Sequence, residues 1–212
     1  MNGRLNSLRF FGPAAPELEQ TQTGFALRSC GGESFTVRLW GRFPAGWCGS
    51  LSVGLSRLGI DIVRGFARRV SQGVWAAEFE IRTTPGGTRV SEIDYVELAE
   101  TPASFHDTPP IELDSYFLDG SPEAGGALYL EVRGHDRMGF LGSLLERLAG
   151  LSLFPEEMTV ETRGQRANDS FYLRAAEGRV PSEAARRALR DLLEVLARRS
   201  PAAERSASAQ PY

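Results

Sequence analysis

The sequence predicts an α+β protein built from two similar halves, each running strand, glycine turn, helix, strand, strand, helix. Three observations predict it. The stretch Gly46-Trp47-Cys48-Gly49-Ser50-Leu51 is answered by Gly139-Phe140-Leu141-Gly142-Ser143-Leu144, 139 − 46 = 93 positions later. Each copy follows a segment of apolar alternation and opens a segment of helical spacing, so a period of two gives way to one of 3.6. Later pieces recur as well: Phe79-Glu80-Ile81-Arg82 as Phe171-Tyr172-Leu173-Arg174, and Arg89-Val90-Ser91-Glu92 as Arg179-Val180-Pro181-Ser182-Glu183. The chain reads as a duplication.

In chain order, residues 1–15 hold Leu5, Leu8, Phe10 and Phe11 ahead of the breaker Gly12-Pro13-Ala14-Ala15-Pro16 and are assigned no regular element. Phe25-Ala26-Leu27 reads as extended, and Cys30-Gly31-Gly32-Glu33 as a turn. Phe35, Val37 and Leu39 alternate with Thr36 and Arg38, which predicts a half-buried strand over 35–40. Cys48, Leu51, Leu55 and Leu58 lie at helical spacing, and Gly59 supplies the stop. Strands follow over 60–69 and 74–82, joined by Ser71-Gln72-Gly73, with Phe79 and Ile81 on one face of the second. After Pro85-Gly86-Gly87, Ser91-Glu92 opens a shorter helix that turns Ile93, Val96 and Leu98 inward.

Residues 101–110 have the composition of a surface connection, which separates a first unit (1–100, with an N-terminal extension) from a second (111–199). In the second unit, 111–118 reads as extended and a strand covers 128–133. A helix over 140–151 buries Leu141, Leu144, Leu145 and Leu148. Strands over 158–163 and 170–174 precede a helix over 182–199, striped by Ala185, Leu189, Leu192, Leu193 and Leu196, with Arg198-Arg199 at its negative end. The tail 200–212 is polar and small enough to be disordered. A βαββαβ unit needs a fourth strand, and nothing strand-like follows the last helix. Either each half places its preceding segment, 24–29 or 111–118, beside its first strand as a hairpin, or 111–118 serves the first half and leaves the second one strand short.

At 212 residues and 42% hydrophobic content, two units of about 100 residues can each bury a core. The net charge of −3 removes the main electrostatic reason to expect nucleic acid or an anionic membrane as partner. All 24 basic residues are arginine, so Schiff-base chemistry and a Walker-type phosphate lysine are excluded. Cys30, Cys48, His106 and His135 are too few and too scattered for a disulfide framework or a standard zinc site, and a reducing, cytoplasmic setting is expected. Neither a secretory signal nor a membrane span of ~20 apolar residues is read. Trp40, Trp47 and Trp75 read as core or interface anchors, and Ser50 and Ser143 as small residues that let helices approach. No Gly-x-Ser-x-Gly elbow is present, His135-Asp136 lacks the further ligands of a metal site, and neither enzymatic activity nor a cofactor is expected.

The organising stretch is the strand-to-helix turn Gly134-His135-Asp136-Arg137-Met138-Gly139-Phe140-Leu141. Glycine there admits close approach to the backbone, and free amides at a helix start favour a carboxylate. Asp136-Arg137-Met138-Gly139-Phe140-Leu141 resembles the Asp-Arg-Pro-Gly-Leu-Leu turn of ACT domains, in particular the C-terminal ACT modules of nitrogen-sensing (protein-PII) uridylyltransferases. The resemblance covers about residues 127–198 and, more loosely, 34–98. It implies two ferredoxin-like sandwiches, antiparallel sheets with helices on one face. It also implies a regulatory role in which a small-molecule effector, an amino acid, binds at that turn, commonly between two modules. Carried over by position, the ligand contacts would be Asp136, Met138, Gly139 and Phe140, flanked by His135 and Arg137, with Pro44, Ala45, Gly46 and Trp47 at the equivalent first turn. Met138 departs from the usual proline, and the first turn has no acidic residue at the Asp136 position. The competing reading is a ligand-free interaction module that forms a homodimer or docks on a partner enzyme through sheet edges and helices.

Overall fold

A computed structural model of the chain describes residues 22–84, 88–102, 110–120 and 125–198. The extension up to residue 21, the Pro85-Gly86-Gly87 break, most of the 101–110 connection with His106, and the 200–212 tail lie outside these described residues. The elements are β1 (Gly24–Gly31), β2 (Ser34–Arg42), α1 (Trp47–Arg57), β3 (Ile60–Ser71), β4 (Val74–Thr83) and α2 (Tyr95–Glu100). Then follow β5 (Leu113–Asp119), β6 (Leu128–His135), α3 (Phe140–Gly150), β7 (Leu153–Arg163), β8 (Arg166–Ala175) and α4 (Glu183–Arg198). The order ββαββα thus occurs twice.

The eight strands of the described residues join in one antiparallel sheet, β1-β2-β4-β3-β7-β8-β6-β5. β1 pairs with β2 through Phe25↔Leu39 and Leu27↔Val37, and β5 with β6 through Tyr116↔Val132 and Leu118↔Leu130. Each half therefore takes its missing strand from the segment before its first strand, and 111–118 does not serve the first half. Within each half the strands lie as in a βαββαβ sheet whose last strand has moved to the front. In the first half the hairpin is closed by Gly31 and Gly32, both at positive φ (101° and 59°), the conformation glycine adopts without a steric cost. Residues of all four helices and of one face of the sheet form a single buried cluster. The other face is open, with ion pairs such as Arg64–Glu80 at 2.7 Å and a cluster of rings from Phe117, Tyr129 and Tyr172.

The halves meet where β3 pairs with β7, Gly65 opposite Val160 and Ala67 opposite Met158, and where α1 lies against α3. Small residues make the helix contact close: a Cβ on Gly142 would sit 2.8 Å from Val53 Cγ2 and 3.1 Å from the Val53 amide nitrogen. Ser50 and Ser143 are both buried, as that packing requires. Gly142→Ala is expected to lower stability by about 1–2 kcal/mol in urea titrations, through overpacking. In a helix free of this contact the same change would stabilise by about 1 kcal/mol, so its sign reads the contact directly.

Three elements depart from expectation. Ser91-Glu92 does not open a helix but lies in a short 3-10 turn; α2 starts after Asp94, whose Oδ1 accepts from the amides of Val96 and Glu97, both at 3.0 Å. The shifted start turns Tyr95 and Ala99 inward and leaves Val96 and Leu98 half-buried. β7 begins at Leu153 rather than near 158, because a bulge between Pro155 and Glu157 absorbs the proline's missing N–H. In α3, Leu141 is half-buried, while Phe140, Leu144, Leu145 and Leu148 are in the core.

Candidate functional site

Both strand-to-helix turns end on a glycine in the left-handed region, Gly46 at φ 84° and Gly139 at φ 83°. Neither helix start has a side-chain cap. At the first turn the amide of Trp47 donates to the Pro44 carbonyl (3.2 Å), and those of Gly49 and Ser50 to the Gly46 carbonyl (2.9 and 3.1 Å). The Cys48 amide, second in α1, belongs to the first-turn amides that have no intrahelical acceptor.

The sheet brings the first turn of one half against the strand that follows the helix in the other half. Phe154 of β7 lies 3.6 Å from where a Gly46 Cβ would be. Between them is a cavity of about 250 Å³ with an apolar wall that includes Phe43, Trp47, Trp75, Leu145, Phe154 and Pro155. Phe43 stacks on Trp47 (centroids 4.7 Å apart) and Trp75 meets Trp47 edge-on (5.6 Å), so the rings brace one another. Trp47 is 1% exposed and its Nε1–H has no hydrogen-bond partner. A buried donor left unmet costs about 1–3 kcal/mol. Burial raises the pKa of the lining Cys48 thiol well above its ordinary value, which keeps it protonated and a poor nucleophile.

The rim is polar. Glu156 receives Arg69 on one carboxylate oxygen and Arg174 on the other, the latter at 2.8 Å, and so ties β3 of one half to β7 and β8 of the other. Beyond Arg69 and Glu156 an open groove of about 630 Å³ continues past Tyr172 and Arg174.

Of the first-turn residues read from the sequence, Ala45, Gly46 and Trp47 line the cavity, whereas Pro44 is exposed and contributes its carbonyl to Trp47. The second turn is chemically different. Asp136 is half-buried; its Oδ2 accepts from Thr162 Oγ1 at 2.7 Å and its amide donates to the Gln165 carbonyl at 2.8 Å. His135 and Arg137 are exposed, Met138 and Gly139 half-buried, and Phe140 is a core residue at 2% exposure, packed beside Gly134. Two more carboxyls share the field of Asp136. Asp169 is pushed up to about 8, first by burial and then by the Asp136 charge, against the Glu161 amide that donates to it. Asp61, on β3 of the first half, is pushed up to about 6 by burial and by Asp136, opposed by Arg82. Among the described residues no group of three or more His, Cys, Asp and Glu is arranged to hold a metal ion.

No protein-family model matches the chain, and no curated protein matches it. Among solved structures it is similar to the crystal structure of aspartate kinase from Synechocystis, with 14% identity and a TM-score of 0.41. The similarity covers 77% of this chain and 27% of that one, so the chain spans about a quarter of its length.

Residues that sequence reasoning missed are Arg69 on β3 and, from the far half, Phe154, Pro155, Glu156 and the 175–178 corner. The 93-residue offset sets Phe43 against Asp136, which marks the first turn itself as aromatic and the second as acidic, but no signal in the sequence points to Phe154 or the other missed residues. Among the described residues no helix is long and apolar enough to cross a membrane.

Proposed function

We propose that the protein is a cytoplasmic, non-enzymatic regulatory protein of two ACT-like units that binds an amino acid or a closely related small metabolite. The observation that carries this reading is the aromatic cavity at the Gly46 turn, closed by a strand of the other half. Its volume is below the ~300 Å³ at the lower end of drug-sized sites, which restricts it to a ligand the size of an amino acid. Because the walls come from both halves, ligand binding would bias how β7 sits against α1, a change a partner can read. The ACT-like turn signature supports the same reading. So does the acidic surroundings of the Asp136 turn, which disfavours a carboxylate there and leaves the first turn as the effector site.

Calorimetric titration with the common amino acids and their deaminated counterparts tests it. Heat with apolar members, abolished in Gly46→Val and kept in Gly139→Val, is expected. Silence across both sets sinks the proposal and favours a module that associates through the open sheet face, where Phe117 is 55% exposed beside Tyr129 and Tyr172.

A further inference from the structure

We infer that the first-turn cavity takes an apolar or aromatic carboxylic acid held through its carboxylate, with no receptor for an α-amino group. This rests on the cavity being the effector site and deepens that reading by naming the chemistry of the ligand. The unmatched groups at the cavity are donors. The Nε1–H of the lining Trp47 is buried without a partner and the Cys48 amide stands at the start of α1, while the rim pairs Arg69 and Arg174 with Glu156. Together with the positive end of α1 the unmatched donors favour an anion.

An ammonium group finds no counterpart. Phe43 occupies the place that Asp136 holds in the second turn. Glu156 has both oxygens taken by Arg69 and Arg174, so its charge is already matched. Glu177, the other carboxylate of the rim, has a side chain 82% exposed to water and faces Arg179 at 3.9 Å. A protonated amine carried into the cavity would therefore lose its hydration with no carboxylate to replace it. The stacked Phe43 and Trp47, the edge-on Trp75 and Phe154 suit a flat or branched apolar tail.

The test compares 3-phenylpropionate, 3-phenylpropionamide and L-phenylalanine, with 4-methylpentanoate, its amide and L-leucine as a second series. Binding is followed by the fluorescence of Trp47 and Trp75 and by calorimetry on the full chain. The acid of at least one series is expected to bind tenfold or more tighter than its amide and no weaker than its amino acid. Trp47→Phe, which keeps an aromatic ring and removes the N–H, is expected to weaken the acid about tenfold and leave the amide nearly unchanged. An amino acid that binds tenfold tighter than its deaminated counterpart, or an amide equal to its acid, overturns the inference and leaves the effector reading standing. No binding by any member of either series overturns the inference, whereas the effector reading falls only with silence across the full set of amino acids and their deaminated counterparts. The comparison among wild-type ligands needs no variant, so a misfolded Trp47→Phe would not shield the inference.

Discussion

Gly65→Val is expected to lower the free energy of unfolding by about 3 kcal/mol in urea titrations, the upper part of the range for overpacking a well-filled site. Gly65 lies mid-strand in β3, paired with Phe79 on one side and Val160 on the other. A Cβ there would fall 2.4 Å from the Glu78 carbonyl oxygen, 2.5 Å from Phe79 Cδ1 and 2.9 Å from Phe79 Cα. Two of those atoms are backbone, so relief requires β3 and β4 to separate rather than a side chain to turn. In a strand position without such crowding, valine in place of glycine would stabilise, since β-branched residues suit a pleated sheet and glycine weakens it. The sign therefore separates the two cases. Because β3 carries β7 across the middle of the sheet, the same variant is expected to displace Phe154 and Glu156 and weaken ligand binding at the Gly46 turn.

Asp169→Asn is expected to stabilise the protein at pH 8 and to leave it nearly unchanged at pH 4. The folded chain holds the Asp169 proton up to about pH 8, whereas an unfolded aspartate releases it near 3.9. Between those values the native state binds one more proton than the unfolded state, so stability falls as pH rises, by up to about 1.4 kcal/mol per pH unit. Below pH 4 both states are protonated and no difference arises; above 8 both are ionised and the loss is complete. Asparagine cannot ionise but still offers an oxygen to the Glu161 amide, which donates to Asp169 at 3.2 Å. Thermal melts of the two proteins from pH 4 to pH 8 should diverge steadily, the variant ahead by several kcal/mol at the upper end. Parallel profiles would show that Asp169 ionises normally in the fold. Asp61, raised to about 6 in the same field, adds a smaller fall of the same sign to both proteins.

The parts of the fold readable along the chain are those set by neighbouring residues. Gly46 and Gly139 mark left-handed helix starts, Gly59 a helix stop, and alternation at Phe35, Val37 and Leu39 a strand with one buried face, because each signal acts within one or two turns of chain. Ser152 terminates α3 at φ 57° where Gly59 does the same for α1, an equivalence the sequence hides because serine is rarely found there. At α2 two candidate caps compete, Ser91 and Asp94. Only the structure shows that the Asp94 carboxylate takes two amides, which turns Tyr95 inward to donate to the Val90 carbonyl at 3.0 Å.

The candidate site was legible by half. The first-turn residues Ala45, Gly46 and Trp47 are local to one motif and line the cavity. Its opposite wall depends on β3 meeting β7 across the middle of the sheet, a pairing between residues about 90 positions apart that no local pattern encodes. The resemblance is strongest at the Asp136 turn. That carboxylate is turned to Thr162 in its own half and shares its field with Asp61 and Asp169.

The amide spectrum of the ¹⁵N-labelled protein, recorded with and without saturating 3-phenylpropionate and then with a mixture of apolar amino acids, tests the central claim most directly. A ligand seated between the halves should shift Gly46, Trp47 and Cys48 together with Phe154 and Glu156, residues about 110 positions apart in the chain, and leave 136–140 in place. Shifts gathered on 136–140 instead, or an unchanged spectrum with every ligand, would contradict it.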